Sequence, residues 1–247
     1  MKIGLNFSNL IEDIKKNDFI KSKEIIKNIK DINIRFPYKD DFDHPNNAMS
    51  FKNRKDNYIT LLMLASQFNY IKIVKELLKY DIDLEIEDDF GSTILNRTTH
   101  KYGSDSHNPL VQKPLGSINI FKSLLKSGSK INTQDLNGNS PLINCSEHNQ
   151  LKMTNELISA NADLDIVNNR GNTALITIAY YHDLYDSKSK SRLEIIKELI
   201  REGANLNIKN NDGEDFFSFL SRKVKKIITS EFPEEMALYH DTKKYNL

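Results

Sequence analysis

The sequence predicts an all-α fold, a solenoid of stacked helix pairs with short hairpin-like fingers between them. Three observations predict it. A turn residue, one spacer, a hydroxyl or carboxylate side chain and an apolar run recur in that order along the chain. The recurrence keeps one period, lengthened by whole insertions, which marks stacked units rather than one closed core. Each turn is followed by a second apolar stretch at helical spacing.

The first helix of each unit begins at the turn. "YIT" precedes "LLMLA", "GST" precedes "ILNRT", "GNS" precedes "PLINC" and "GNT" precedes "ALITI". The turn residues are Tyr58, Gly91, Gly138 and Gly171, with Gly213 before "EDFFSFL". Their separations are 33, 47, 33 and 42 residues, so two equal the period and two exceed it by 14 and 9. Thr60, Thr93, Ser140 and Thr173 stand where a helix should start, and each oxygen can accept a bond from an orphan N–H. Asp215 takes that place in the last unit. Pro141 follows Ser140, where a missing N–H costs nothing.

A second helix follows in "NYIKIVKELLKYD" (Asn69–Asp81), "GSINIFKSLLKSG" (Gly116–Gly128), "NQLKMTNELISAN" (Asn149–Asn161) and "SRLEIIKELIREG" (Ser191–Gly203). Ile71, Val74, Leu77 and Leu78 form one buried stripe at helical spacing. Gly128 and Gly203 end two of these helices, where a left-handed conformation is tolerated, and Asn161 can do the same. The exits "IDLEIED", "SKINTQD", "ADLDIVN" and "ANLNIKN" place Leu84, Ile131, Leu164 and Leu206 seven residues before the next turn glycine. These segments are expected to project as fingers.

In these residues the chain resembles the ankyrin repeat family. "GNSPLINC" and "GNTALITI" match the start of the family pattern, and "NADLDIVN" and "GANLNIKN" match its exit. The resemblance covers most of Ile59–Asn211. It implies a protein-interaction scaffold that binds through a concave surface of fingers and first helices. There are departures. Met63, Asn96, Ile143 and Ile176 replace the family histidine, Tyr58 replaces a turn glycine, and Thr154 replaces an apolar position. The usual hydrogen bonds between turns are therefore absent, and a less rigid array is expected.

The pattern divides the chain into an N-terminal capping helix pair at 1–34 and an inserted finger or loop at 35–55. A repeat at 56–88 follows, then one at 89–135 with an inserted loop near 99–114. The next repeats occupy 136–168 and 169–210, the latter with an insertion near 180–191. Capping helices and a tail fill 211–247. The N-terminal pair carries Leu10, Ile11 and Ile14, then Ile25, Ile26 and Ile29. The C-terminal stretch Glu214–His240 reads as a final helical pair, with Arg222, Lys223, Lys225 and Lys226 as the polar outer face that a terminal unit needs.

Composition narrows the function. The chain has 247 residues, 35 basic and 34 acidic, for a formal net charge of +1. That balance gives no reason to expect a nucleic-acid surface. A single cysteine, Cys145, excludes a disulfide framework and favours a cytoplasmic setting. The N-terminus lacks the apolar core of a signal peptide. No run reaches the roughly 20 apolar residues that span a bilayer. Abundant Asn, Ile and Lys fit an AT-rich genome.

No catalytic triad order, HExxH, phosphate loop or glycine fingerprint is present, so no enzyme and no cofactor are expected. His100, His107, His148 and His182 lie on or near insertions without the tight ligand spacing of a metal site, so no metal is expected. Cys145 sits at a small-residue core position. Asp40, Asp41 and Asp43 lack calcium-loop spacing. What remains is binding to a protein partner of unknown identity. The candidate contacts are Phe90, Leu136, Arg170 and Lys209 at or near finger tips. Aromatic anchors in the insertions are Phe42, Phe51, Tyr181 and Tyr185. The first reading is a bacterial or viral interaction protein, acting in the cytoplasm or delivered into a host cell as an effector. The alternatives are an immunity or inhibitor protein that blocks a cognate toxin or enzyme, and an enzyme with a histidine-based loop site.

Overall fold

The structure, a computed structural model, describes residues 16, 18–29, 31–38, 57–99, 117–185 and 190–245. The chain divides into two units, Met1–Thr98 with Ser106–Lys130, and Thr99–Asp105 with Ile131–Leu247. The described residues form the expected all-α fold, with helices in pairs and one short two-stranded sheet.

In the first unit, helix α1 spans Phe19–Lys27, α2 Leu61–Gln67, α3 Ile71–Leu77, α4 Ile94–Thr99 and α5 Ile118–Lys126. Asp18 caps α1 by accepting from the Lys21 N–H at 3.1 Å. Ile26 is buried, and α1 packs against α3, which packs against α5. Second helices thus stack on second helices. The expected helix around Leu10, Ile11 and Ile14 lies outside the described residues. Strands β1 (Phe36–Tyr38) and β2 (Asn57–Ile59) pair antiparallel, with Phe36 opposite Ile59. Tyr58, the non-glycine turn residue, is therefore backbone of a strand. A paired strand takes the place of the short turn that a glycine would allow.

In the second unit, α6 spans Pro141–Glu147, α7 Leu151–Ser159, α8 Ala174–Tyr185 and α9 Lys190–Arg201. α6 packs against α8, and α7 against α9. The core includes Leu142, Cys145, Leu157, Leu175, Ile178, Ile195 and Leu199, all nearly inaccessible. The C-terminal stretch does not begin with an α-helix at Asp215. A 3-10 turn forms at Phe216–Phe219, followed by α10 (Arg222–Glu231) and α11 (Pro233–Tyr245). Ser221 caps α10 through the Val224 N–H. Phe216, Phe232, Met236 and Tyr239 are buried, so the late start follows from packing two further helices against the turn.

The helix starts work as capping chemistry requires. Thr60, Ser140 and Thr173 accept from the N–H groups of Met63, Ile143 and Ile176 at 3.2, 3.3 and 3.2 Å. Removing such a cap typically costs about 1 kcal/mol.

The fingers are built on Asx turns. Asp135 Oδ1 accepts from the Asn137 and Asn139 N–H groups at 2.8 and 2.9 Å. Asn168 does the same for Arg170 and Asn172, and Asn210 for Asp212 and Glu214. In the first unit Asp88 serves Phe90 and Ser92. Its second oxygen takes a 2.5 Å bond from Arg97 of α4, with both side chains almost fully buried. Arg97 also donates to Gln67 at 3.1 Å. One guanidinium therefore ties a finger to α4 and to the end of α2.

A second set of bonds links each finger to the next. The side chain one residue past each exit apolar residue accepts an N–H one residue before the following exit. In the first unit Asn33 accepts from Asp83 at 2.8 Å and Glu85 from Lys130 at 2.9 Å. In the second unit Asn132 accepts from Asp163 at 3.1 Å and Asp165 from Asn205 at 2.8 Å. Asn169 and Asn211 add donations from both N–H and side-chain amide to the preceding finger's carbonyls. The turns are thus knitted, although the family histidine is absent.

Gly138 and Gly171 have φ of +76°. A Cβ at Gly138 would lie 2.7 Å from the Asn169 backbone nitrogen, and one at Gly171 would lie 2.8 Å from that of Asn211. Gly203, φ +87°, has nothing within 4 Å. The left-handed region costs an L-residue roughly 1–2 kcal/mol. Gly203→Ala is expected to lose about that much in chemical denaturation. Gly138→Ala should lose at least twice as much, because the clash is with backbone. Equal losses would mean that the finger contact is not tight.

Thr154 of α7 is fully inaccessible, and among the described residues its hydroxyl has no hydrogen-bond partner. A buried unsatisfied hydroxyl costs about 1–3 kcal/mol. Thr154→Val is therefore expected to raise the unfolding midpoint by the equivalent of about 1 kcal/mol. A lowered midpoint would show that the hydroxyl is satisfied.

Candidate functional site

The finger tips are surfaces on which the backbone is fixed and the side chains are released. Leu136 shows this. Its carbonyl accepts from the Asn169 side-chain amide at 2.9 Å, while its side chain is 63% exposed. Val167 is 43% exposed, and its carbonyl accepts from Gln134 at 3.0 Å. Arg170 and Lys209 are exposed, and Phe90, in the first unit, is half-buried. These residues do not share one register. Counted back from the turn glycine, Phe90 and Arg170 are one residue before it, Leu136 two, and Lys209 four.

The insertion aromatics separate. Phe42 and Phe51 lie outside the described residues. Tyr185 is the last residue of α8, and its side chain is likewise outside them. Tyr181 is half-buried, and its hydroxyl donates to Glu147 Oε1 at 3.0 Å. Its neighbour Tyr180 is 41% exposed. Tyr180 meets the rings of Tyr181 and Phe219 edge-on at 5.2 and 5.4 Å. Sequence reading missed Tyr180, Phe219 and Val167. The available signal for Tyr180 was registration, since Glu147 and Tyr180 each stand nine residues after their turn glycine, although α6 ends at Glu147 and α8 continues to Tyr185.

The titratable groups favour architecture over chemistry. The Cys145 thiol is inaccessible, and burial pushes its pKa far above the ordinary value. It is not an available nucleophile. His148 caps α6. His100, His107 and the side chain of His182 lie outside the described residues. Among the described residues no three His, Cys, Asp or Glu side chains gather as a metal site, and no helix is long and apolar enough to cross a membrane.

The most perturbed cluster lies at the C-terminal end. Asp215 is buried and accepts from the Ser218 N–H, the Ser218 hydroxyl, the Tyr239 hydroxyl and the Lys243 ammonium, the last at 2.7 Å. Burial pushes its pKa up, but the bonds from Lys243, Ser218 and Tyr239 prevail and hold it below the usual carboxylate range. Burial pushes Tyr239 up to about 12. Lys243 loses some solvation, yet its bonds to Asp215 and Tyr239 raise its pKa. All oxygens of the cluster face partners within the fold. It is a latch that holds α11 on the 3-10 turn.

Residues 110–210 match the sequence family of ankyrin repeats in three copies, and residues 57–89 match the ankyrin repeat. No curated protein matches the chain. Among solved structures it is similar to an ankyrin repeat domain from Acinetobacter baumannii AYE. That likeness has a TM-score of 0.64 at 20% identity, covering 85% of this chain and 89% of that one. The ankyrin repeat protein EF0377 is similar with a TM-score of 0.62 at 20% identity, over 92% of this chain and 96% of that one.

The latch sets a pH dependence. Asp215 titrates lower folded than unfolded, so its stabilisation is present above the unfolded carboxylate pKa and disappears as pH falls through the folded value. Tyr239 and Lys243 are raised, so theirs is present below the unfolded values and disappears as pH rises through the folded ones. Thermal midpoints of the native chain and Asp215→Asn should therefore differ most between the two limbs and converge towards acid. A constant difference across the acid limb would show that Asp215 is not charged in the latch.

Proposed function

Because the chain belongs to the ankyrin repeat family, we propose that it is a non-catalytic module that binds a protein partner through its fingers, first helices and insertions. Ankyrin repeats are generally protein–protein interaction modules and typically non-catalytic. One observation carries the reading for this chain. The finger backbones are held by Asn and Asp side chains, so Leu136, Arg170 and Lys209 are free of structural duty and remain exposed. Loops on a rigid scaffold are where binding residues concentrate. Tyr181 differs from them, because its hydroxyl already serves Glu147. Its truncation tests packing as well as recognition.

The partner is a protein, and its identity is the first quantity to measure. Affinity capture from the native source with mass spectrometry names it, and titration calorimetry then measures it. Leu136→Ala combined with Arg170→Ala is expected to weaken binding by at least about tenfold, as hot-spot truncation does. The melting temperature should stay within about 2 °C, as for exposed positions. Unchanged affinity would remove the finger tips from the interface.

A further inference from the structure

We propose that Asn137, at the tip of the finger before α6, is a site of spontaneous deamidation that the closed finger restrains. Asn137 is followed by Gly138, and no other asparagine of the chain precedes a glycine. In the fingers that end at Gly91, Gly171 and Gly213 the preceding residues are Phe90, Arg170 and Asp212, none of which carries an amide. The Asn137 side chain is exposed, and among the described residues its amide makes no hydrogen bond. Its Cγ is within ring-closing reach of a backbone nitrogen that no Cβ shields. In the step proposed, the Gly138 nitrogen gives its proton to solvent base and bonds to Asn137 Cγ. The Cγ–Nδ2 bond breaks and ammonia leaves, which yields a cyclic succinimide. Water then opens the ring at either carbonyl, to aspartate or to isoaspartate. Water is the only co-reactant.

The finger opposes the first step. The Gly138 N–H donates to the Asp135 carbonyl at 2.8 Å, so the attacking nitrogen keeps its proton. Asp135 Oδ1 holds the Asn137 and Asn139 N–H groups. The Asn169 N–H donates to the Asn137 carbonyl at 3.0 Å, and the Gln134 amide donates to the Gly138 carbonyl at 2.6 Å. Ring closure must free the Gly138 nitrogen from this frame. The reaction therefore runs from the opened finger, at a rate set by how often the finger opens. Either product adds a negative charge. Isoaspartate also turns the Asn137 main-chain carbonyl, on which the Asn169 N–H rests, into a free carboxylate. Along the row Asn137, Arg170 and Asp212, the successive finger tips change from neutral, basic and acidic to acidic, basic and acidic. The site stands whether or not the fingers bind a partner, so its test needs none.

The test incubates the whole native chain in mildly alkaline buffer, folded and in urea, and follows the peptide that contains Asn137 by fragmentation mass spectrometry. Asn139 precedes Ser140 in the same peptide and accepts from the Asn168 amide at 2.9 Å, so it is an internal comparison. In urea, Asn137 is expected to exchange its amide for a carboxyl group before Asn139 does. In the folded chain the exchange should be at least about tenfold slower, the scale of opening against one or two backbone bonds. Gln134→Ala removes a bond to Gly138 from an exposed side chain. It should speed the folded reaction at least about threefold and leave the rate in urea unchanged. Asn137→Gln, whose longer side chain closes a larger ring, should slow the reaction in both states. Melting temperatures check that each variant is folded. Equal rates in the folded and urea samples would overturn the restraint, as would a folded Gln134→Ala chain that reacts no faster than the native one. No conversion of Asn137 in urea would overturn the site itself.

Discussion

The fingers depend on one recurring interaction, a short side-chain oxygen that accepts backbone N–H groups a fixed number of residues away. It acts twice. Within a finger, Asp88, Asp135, Asn168 and Asn210 each close a turn of the same geometry. Between fingers, Asn33 and Glu85 in the first unit, and Asn132 and Asp165 in the second, accept from the next exit. Each bond is worth only about 1 kcal/mol net. Their effect is positional, because an N–H without a partner near the core would be costly. The asparagine abundance that suggests an AT-rich genome therefore has structural uses as well. Ordinary codon bias and Asx chemistry are compatible in this fold.

Much of the fold was legible because its signals are local. A hydroxyl three residues before the N–H it accepts from, a positive-φ glycine and an apolar stripe are written within a dozen residues. Thr60, Ser140 and Thr173 act as caps for that reason. The finger ladder was not legible, because its partners are 31 to 50 residues apart and the accepting type varies among Asn, Asp and Glu. The missing histidine suggested loosened turns, but it said nothing about substitutes elsewhere. Asn69 and Asn149 turn the helix corners at positive φ of 58° and 55°. Only Asn161 was marked for that role, since it ends a helix where glycine stands in other units. The 3-10 turn was hidden because Asp215 looks locally like any cap, whereas its geometry is set by Tyr239 and Lys243, more than twenty residues away.

Less of the candidate site was legible. The finger residues could be found by counting from the turn glycines, yet counting could not say which side chains remain exposed. Phe90 is half-buried while Leu136 is mostly exposed. In the insertion, adjacent tyrosines take different tasks. Tyr181 reaches across to Glu147 of the preceding repeat, and Tyr180 stays at the surface. Their sequence context is nearly the same, so the distinction arises from helix phase and the neighbouring repeat. Period and composition do not contain that information.

Two kinds of fastening separate stability from recognition. In the fingers, side-chain oxygens hold the backbone and leave side chains such as Leu136 free. Beyond the last finger, from Asp215 onward, the second unit uses rings and charges. Phe217 and Tyr239 are covered by Lys225 and Lys243, and α11 is latched through Asp215. The rings that lie against cations inside this unit, Phe217 and Tyr239, thus serve the fold, whereas the exposed finger side chains are not needed for it.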